Sequence, residues 1–594
     1  MKRKNKQAMN FSIIGLLALA IGGGTSYMAF GGTNGNKTNI AFVSNNGKVW
    51  DDGSFMTGAH NGITEYTDNV GHARLKTDTS GEYDESGVAY IEPTQKALNA
   101  GNDMVVSAGF NYAPAITGQQ QFDPNGDPIL ENGKPVYDWE QGIFGAPISG
   151  TNQSTNWGDR TVVLADDNPS TGLASIYSNA ISINYKSEGG GLIAGAAAAM
   201  YSTAVQIVSP VTEDNLTNVV VPYGGFAIDA VYDFMSGFEQ GVNWYNYAIL
   251  GYTPYNHDES PITKSGKLGE VGVVNALNNG YNNKTEIEPI EVVAISTSSE
   301  GEGENEQIKG HLVYAKDYYN KDTPADINNW YIQGFPDGEL TSSGKKATFI
   351  ADESIDQKIP IIFPVAGAAT MYTYQELENE KAHDIEGNYT QIISVDSDAV
   401  KVEADDNGNT KYDEYILGSS VKNLEMSIQY AVWFADSRQE ENYVAKDMNG
   451  SEEKIDPSGN IANSTEFMKP VSEGGWNYST DVNTDNYPDN DIAGQQFTGN
   501  LENGGSYFTP GISTNGNYEL HGWADEVIIG EFDINKNLSD MEQIVKDQNP
   551  LIESSSQTFS PDPAIVNKGV LSKEDIVLMD NMPWLINYNI EKIV

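Results

Sequence analysis

Short apolar runs without polar alternation recur along the chain, and segments with helical spacing of apolar residues separate them. NIAFVSN at 39–45 precedes the helix-like SFMTGAHNGITEYTDNV, and NVVVPYGG at 218–225 precedes AIDAVYDFMSGFEQGVNWYNY. Runs of this kind are typical of parallel strands that are buried on both faces. The pattern therefore predicts an α/β doubly wound architecture, in which ligands bind beyond the carboxyl ends of the strands.

Charge and cysteine content exclude several classes of partner and site. The chain has 34 Lys and Arg against 83 Asp and Glu, a formal net charge of -49. A surface this acidic repels nucleic acid and anionic lipid, so no nucleic-acid partner is expected. The chain contains no cysteine, which excludes disulfides, thiolate metal sites and a lipid-modified N-terminal cysteine.

The N-terminal segment, residues 1–37, has the layout of an export signal. The basic stretch MKRKNKQAMN precedes the apolar FSIIGLLALAIGGGTSYMAF, which is about long enough to span a bilayer. The match of Tyr27-Met28-Ala29 to a cleavage site is poor, so a cleaved signal peptide and an uncleaved membrane anchor both remain open.

Polar stretches rich in Asn, Gly, Asp and Ser interrupt the apolar runs and predict surface insertions. They cover approximately 117–158, 251–285, 296–356, 371–389 and 437–500. A last region after about Gly511 contains further apolar and aromatic runs.

No motif for catalysis stands out. The six histidines are scattered, without an H-E-x-x-H pattern or a close pair, and no G-x-S-x-G elbow occurs. The nearest approach to a phosphate loop, at 338–347, has the wrong spacing. We therefore expect a binding protein and not an enzyme, with no metal and no cofactor.

Six blocks between residues 39 and 436 follow one another in an order that a known family shares. They are SNNGKVWDDGSFMTGAHNGITEY, GNDMVVSAGFNYAPAI, AISINYKSEGGGLIAGAAAAMYS, NVVVPYGGFAIDAVYDFMSGFEQGV, IPIIFPVAGAAT, and IISVDSDAV with ILGSSVKNLEMSIQYAV. Each block is short, but their shared order is specific. Together they resemble the basic membrane protein family, whose members are substrate-binding lipoproteins of ABC importers, several of which bind purine nucleosides.

The resemblance implies two Rossmann-like lobes joined by a hinge, as in type I periplasmic binding proteins, with large loop insertions and a C-terminal extension. The implied solute-binding domain covers 38–436, with a first lobe at about 38–180 and a second at about 181–390, after which the chain returns to the first. Residues 437–594 would complete the lobes and form the extension. The function implied is capture of a nucleoside, favouring a purine, and its delivery to an ABC permease and ATPase on the extracytoplasmic face.

The resemblance also implies a set of ligand-binding residues. Phe55 would stack on the base and Phe226 would be the facing ring, while Asp396 and Lys422 would hold the ribose. Gly367 would let the backbone approach the ligand. A ring buried in a strand–helix corner and a plain structural ion pair are the alternatives for these aromatic and charged residues.

Three further positions complete the implied set. Asp52 and Phe110 are second-rank candidates, and Asn46 stands where the family has a carboxylate. An amide both donates and accepts hydrogen bonds, whereas a carboxylate only accepts, so base preference would differ here. This departure, the large insertions and the missing lipobox cysteine leave a second hypothesis open: a cell-surface or adhesion protein that reuses the fold without transport.

Overall fold

The structure is a computed structural model that describes residues 38–438 with internal gaps. The longer gaps are 45–54, 81–87, 146–155, 167–179, 249–287, 316–326, 335–341 and 400–411, and beyond residue 438 only short strands between 445 and 518 are described. The N-terminal segment predicted as a signal or anchor lies outside the described residues. Among the helices of the described part, none combines the length and apolarity needed to cross a membrane.

Two large sheets and eight helices form the described part of the chain. The strands are β1 Thr38–Ser44, β2 Ala73–Ser80, β3 Met104–Ala108, β4 Thr161–Ala165, β5 Ala180–Tyr185, β6 Val219–Gly224, β7 Glu291–Glu300, β8 Gln307–Tyr314, β9 Ile361–Val365, β10 Gln391–Asp396, β11 Ile416–Lys422, β12 Gln496–Gly499 and β13 Ser506–Pro510. The helices are α1 Phe55–Asn69, α2 Ile91–Asn99, α3 Ala113–Thr117, α4 Ser187–Val208, α5 Asp229–Ala248, α6 Ser342–Asp356, α7 Ala369–Asn379 and α8 Leu424–Arg438. Short two-residue strands form three small hairpins: Leu130–Glu131 with Lys134–Pro135, Ala445–Lys446 with Glu452–Glu453, and Ser513–Thr514 with Asn517–Tyr518.

The first lobe is built on a six-stranded sheet in the order β12-β5-β4-β3-β1-β2, and every pair in it is parallel. Helices α1 and α8 cover one face, where Ile63 of α1 and Ile428 of α8 share a core with Phe42 of β1. Helices α2 and α3 lie on the other face with Val105 of β3. Burial on both faces explains why these strands have continuous apolar sequences.

The second lobe is built on a seven-stranded sheet in the order β8-β7-β6-β9-β10-β11-β13. Its central strands are parallel, whereas β8 and β13 run antiparallel to their neighbours at the two edges. Helices α6 and α7 cover one face, where Ile350 and Tyr374 pack on Val221 and Ile362. Helices α4 and α5 lie on the opposite face, and α4 packs against β11 and β13.

Glycines let α4 and α5 approach at backbone distance. A Cβ added to Gly195 would lie 1.9 Å from the Phe238 carbonyl oxygen, and one added to Gly241 would lie 2.0 Å from that of Leu192. Gly191 and Gly237 repeat this arrangement one helical turn earlier on each helix. The glycines of the L-I-A-G and G-F-x-x-G blocks therefore serve helix packing next to the second sheet.

The part of the chain that the structure describes crosses between the lobes three times, and we call these crossings the hinge. The first leads from Tyr185 at the end of β5 to Ser187 at the start of α4. The second leads from Lys422 at the end of β11 to α8, which packs in the first lobe. The third leads from β12 in the first sheet to β13, which begins at Ser506 in the second.

The structure shows two lobes of the predicted α/β type, but some details differ from the sequence-based expectation. The stretch 296–356, predicted to be an insertion, contains β8 and the packed helix α6. The second lobe also extends further than about 390, because β10 and β11 belong to the second sheet, and the chain leaves it only at Lys422. Strand β5, which falls after the predicted boundary at about 180, belongs to the first sheet.

Candidate ligand site between the lobes

Lys422 is the central charged residue of the candidate site. It is the last residue of β11, a strand whose side chains are all buried, and it stands at the second crossing. Its Nζ atom lies 2.9 Å from Oδ2 of Asp166 and 3.4 Å from Oδ1 of Asp396. Only 3% of the Lys422 side chain is exposed, so its charge depends on these two carboxylates.

The two carboxylates come from equivalent places in the two lobes. Asp166 directly follows β4 and Asp396 ends β10. Strand β4 lies three places from β2 in the first sheet, and β10 lies three places from β7 in the second. Both residues have left-handed backbone, with φ of 63° for Asp166 and 67° for Asp396. Asp tolerates this conformation better than most residues, because its short polar side chain can form local hydrogen bonds. The two turns thus aim one carboxylate from each lobe at the same ammonium.

Two aromatic rings lie beside the ammonium. The Nζ atom of Lys422 is 5.8 Å from the ring centroid of Phe55 and 4.9 Å from that of Phe234. Phe55 begins α1 in the first lobe, and Phe234 belongs to α5 in the second. Both distances are within the range of cation–π attraction, so the rings stabilise the buried charge as well as forming an apolar wall.

Burial and neighbouring charges change the protonation behaviour of the site. Burial raises the pKa of the Asp396 carboxyl above its ordinary value; the Lys422 ammonium opposes this shift, and the Asp166 carboxylate adds to it. Burial lowers the pKa of Lys422, but Asp166 and Asp396 outweigh that effect and raise it overall. Lys422 is therefore a charged donor at neutral pH. Oδ1 of Asp396 accepts no hydrogen bond from the described residues and keeps acceptor capacity.

Tyr185 occupies the place in the first lobe that Lys422 has in the second. It ends β5, and its hydroxyl is hydrogen-bonded to the Ser427 hydroxyl of α8. Burial raises the pKa of the Tyr185 hydroxyl, which the bond to Ser427 opposes, and the Asp166 and Asp396 carboxylates raise it further. Tyr185 is therefore a neutral neighbour of the two carboxylates.

Phe226 and Gly367 lie at the carboxyl edge of the second sheet. Phe226 is in the turn after β6, half-buried, and Gly367 is in the turn after β9, exposed, with φ of 52°. A side chain at Gly367 would be strained by that backbone conformation. Asn46, Asp52 and Phe110 lie outside the described residues.

The structure brings together Phe55, Asp396 and Lys422 of the predicted set and adds Asp166 and Phe234 to them. Asp166 carried a detectable signal, since TVVLADD ends a buried strand in Asp as IISVDSD does. Phe234 gave no signal, because its spacing in α5 matches that of an ordinary core residue. The site as a whole can accept hydrogen bonds from hydroxyl groups at two carboxylates, donate from one ammonium, and contact a flat apolar group through Phe55.

The family model described as ABC transporter substrate-binding protein PnrA-like, named Bmp, matches residues 37–256. The resemblance seen in the sequence is confirmed. We call residues 37–256 the PnrA-like segment. It contains Phe55, Asp166, Phe226 and Phe234, whereas Asp396 and Lys422 lie beyond it.

Two curated relatives are lipoproteins of mycoplasmas. The uncharacterized lipoprotein MG040 homolog of Mycoplasma pneumoniae is 22% identical over 414 residues, which are 65% of this chain and 55% of that protein. Uncharacterized lipoprotein MG040 of Mycoplasma genitalium is 22% identical over 369 residues, which are 58% of this chain and 56% of that protein. The chain thus spans a little over half the length of each relative.

Solved structures with a similar arrangement include ABC transporter solute-binding proteins. That of Aeropyrum pernix K1 is 12% identical, with 93% of this chain and 99% of that chain covered and a TM-score of 0.40. That of Burkholderia graminis C4D1M in complex with D-arabinose is 11% identical, with 68% of this chain and 91% of that chain covered and a TM-score of 0.34. The fold assignment itself rests on the strand order and the three crossings.

Proposed function

We propose that the protein is the extracytoplasmic solute-binding subunit of an ABC importer and that it binds a nucleoside, preferably a purine, between its two lobes. The observation that carries the proposal is the Lys422 ammonium held between Asp166 and Asp396, one from each lobe, with the Phe55 ring beside it. The match of the PnrA-like segment supports the same class.

The polar side of this arrangement suits a ribose. Neighbouring hydroxyls of a sugar can each donate to one carboxylate and accept from the ammonium between them. Hydrogen bonds that involve an ionised partner are about twice as strong as neutral ones. The three charges sum to one negative charge, which disfavours a phosphorylated ligand and favours a neutral one.

The aromatic side suits a planar base. Phe55 is only partly buried, so part of its side chain can contact a ligand, whereas Phe234 is buried and supports Lys422 from the second lobe. Phe226 would close on the base from the turn after β6. Stacking of a base on an aromatic ring contributes about 1–3 kcal/mol and tolerates different bases.

Delivery to a permease and its ATPase follows from the same proposal. Lobes that rotate about the hinge would close on the ligand and present one surface to the permease. The N-terminal segment would keep the protein at the extracytoplasmic face, as an anchor or as a cleaved signal. No catalysis is proposed.

The test is calorimetric titration of the purified protein with adenosine, guanosine, inosine, uridine and ribose alone. Micromolar or tighter binding of a nucleoside, weakened by Phe55→Ala and abolished by Lys422→Met, is the expected result. Binding of ribose with the same affinity as the nucleosides would limit the proposal to a sugar-binding protein.

A second lysine variant distinguishes the effect of Lys422 on binding from the general effect of losing a positive charge. Lys345 of α6 forms an ion pair with Glu306 at 3.1 Å in the second lobe, separate from the ion pairs of Lys422. Lys345→Met should leave nucleoside affinity unchanged. Absence of binding to every nucleoside and to ribose would overturn the proposal and leave a surface protein without transport as the better hypothesis.

A further inference from the structure

Each of the three crossings carries a buried hydroxyl without a hydrogen-bond partner. Ser187 follows the first crossing, Ser420 is two residues before the second, and Ser506 follows the third. All three residues are at most 1% exposed, and their Oγ atoms accept and donate no hydrogen bond among the described residues. Asn184, one residue before Tyr185, has both side-chain amide atoms in the same condition.

The serines lie close to Lys422. Ser506 of β13 is the direct antiparallel partner of Lys422, and Ser420 is two residues earlier on β11. Side chains directly opposite each other in an antiparallel pair share a face of the sheet, as do residues two apart on one strand. Helix α4, which begins at Ser187, packs against both β11 and β13. The Ser420 and Ser506 side chains therefore share a face of the second sheet with the Lys422 side chain, and Ser187 begins the helix that packs on these two strands.

Several buried hydroxyls elsewhere in the lobes have partners. Ser107 in the first lobe donates to the Val43 carbonyl at 2.7 Å, and Ser354 in the second donates to the Ile350 carbonyl at 2.7 Å. Thr217 donates to the Ser209 carbonyl at 2.8 Å. Ser202, in the middle of α4, is the one other buried Ser or Thr whose hydroxyl lacks a partner among the described residues, so three of these four hydroxyls belong to the crossings.

A buried polar group without a partner destabilises the conformation that buries it. Rotation of the lobes about the hinge is the motion that would let water reach these groups. We propose that Ser187, Ser420 and Ser506 make the described lobe arrangement unfavourable without ligand, and so set the opening equilibrium of the hinge. The prediction about ligand affinity rests on the proposed function, whereas the prediction about lobe separation does not.

The experiment measures lobe separation in the full chain without ligand. The natural sequence has no cysteine, so Lys96→Cys on α2 and Asp356→Cys on α6 provide unique spin-label positions, one per lobe. Double electron–electron resonance then compares Ser420→Ala, Ser506→Ala and the double variant with the parent. The alanine variants should shift the distance distribution toward the described arrangement, and the double variant should shift it most.

Ser354→Ala is the matched control, because it removes an equally buried hydroxyl that has a partner. It should leave the distance distribution unchanged and lower the thermal midpoint, while Ser420→Ala and Ser506→Ala should leave the midpoint equal or higher. An unchanged distribution in the double variant, or a shift away from the described arrangement, would overturn the proposal.

Ligand affinity gives a second readout. Since apparent affinity scales with the population of the binding-competent arrangement, each alanine substitution should tighten nucleoside binding by about threefold to tenfold. If the distances shift but no nucleoside binds to any variant, the hinge proposal stands and the nucleoside proposal fails. If a nucleoside binds to the variants with unchanged affinity and the lobe distances are also unchanged, the hinge proposal fails and the nucleoside proposal stands.

Discussion

In the first lobe, β5 ends at Tyr185, whereas in the second lobe the equivalent strand β11 ends at Lys422. The neighbouring strands β4 and β10 both lead into an Asp with left-handed backbone. The lobes therefore repeat one strand order and one carboxylate, yet only the second supplies an ammonium. The Tyr185 hydroxyl is instead hydrogen-bonded to Ser427 of α8.

This difference makes the site asymmetric, although the two lobes share one strand order. Two carboxylates alone would repel each other and would treat both ends of a ligand alike. A single lysine at one of two equivalent positions neutralises part of that repulsion and gives the cleft a direction. Phe55, on the first lobe, adds an apolar group on one side of the lysine. Substitutions can now be ordered by how strongly they disturb this comparison.

Lys422→Met should have the largest effect, because it removes the ammonium and leaves two carboxylates in a buried place. Breaking a buried ion pair typically costs about 3–5 kcal/mol of unfolding free energy. Urea unfolding at neutral pH measures this loss. Lys345→Met, whose side chain is 23% exposed, should cost about 1 kcal/mol or less. Equal losses for the two variants would show that Lys422 has no special role.

Gly195→Ala should have the next largest effect, since its Cβ would meet the Phe238 carbonyl oxygen at 1.9 Å. Forcing α4 and α5 apart should destabilise the protein by about 1–3 kcal/mol. In the first lobe, a Cβ at Gly58 would meet Leu424 at 3.3 Å, so Gly58→Ala should be nearly neutral, helped by the better helix propensity of alanine. Urea unfolding of both variants tests this difference between the lobes, and a tolerated Gly195→Ala would contradict it.

Asp166→Asn and Asp396→Asn test whether the equivalent carboxylates contribute equally. Loss of a hydrogen bond to a charged group costs about 1.5–3 kcal/mol, or roughly tenfold to a hundredfold in affinity. Asp166→Asn should cause the larger loss of affinity. The reason is that Asp166 lies 2.9 Å from the Lys422 Nζ atom, whereas Asp396 lies 3.4 Å from it. Calorimetry with the best nucleoside measures both, and a greater loss for Asp396→Asn would reverse the assigned order.

The smallest effect concerns pH. Because the pKa of Asp396 is raised in the folded protein, the folded state holds a proton that the unfolded state has lost just above the ordinary value of 3.8. Stability from this group is therefore present below that value and is lost as pH rises through the raised pKa. Asp396→Asn should flatten the pH dependence of urea unfolding from about pH 4 upward. An unchanged profile in Asp396→Asn would contradict the assigned shift.

Buried strands and long helices were predictable from the sequence, because burial on both faces leaves apolar runs with few interruptions. Helix α6 was not, since SSGKKATFIADESID has polar residues on its outer side, and its buried apolar side chains, Ala347, Ile350, Ala351 and Ile355, are few. The edge strand β8 is polar for the same reason: it is mostly exposed. Strands β12 and β13 follow long polar stretches. Their strand structure depends on pairing with β5 and β11, which are distant in the sequence.

The site was predictable in part. Phe55, Asp396 and Lys422 follow from family motifs, and their proximity in the structure agrees with a shared site, although their role in binding stays a prediction. Asp166 was missed because an Asp after a strand is common, and only the equivalent position of Asp396 in the other lobe makes it distinctive. In the sequence that equivalence appears only as an Asp after each of two buried runs, TVVLADD and IISVDSD, which is too short to stand out as a repeat.

The third crossing has a consequence for how the chain acquires its structure. Strands β12 and β13 pair with β5 and β11, so one late segment adds the outer strand of both sheets. A chain that ended before residue 496 would leave β5 and β11, one in each lobe, without their outer partner strands. Open edges are templates for association with other chains. Folding of this protein therefore depends on keeping β5 and β11 from pairing with other chains until residues 496–510 have emerged.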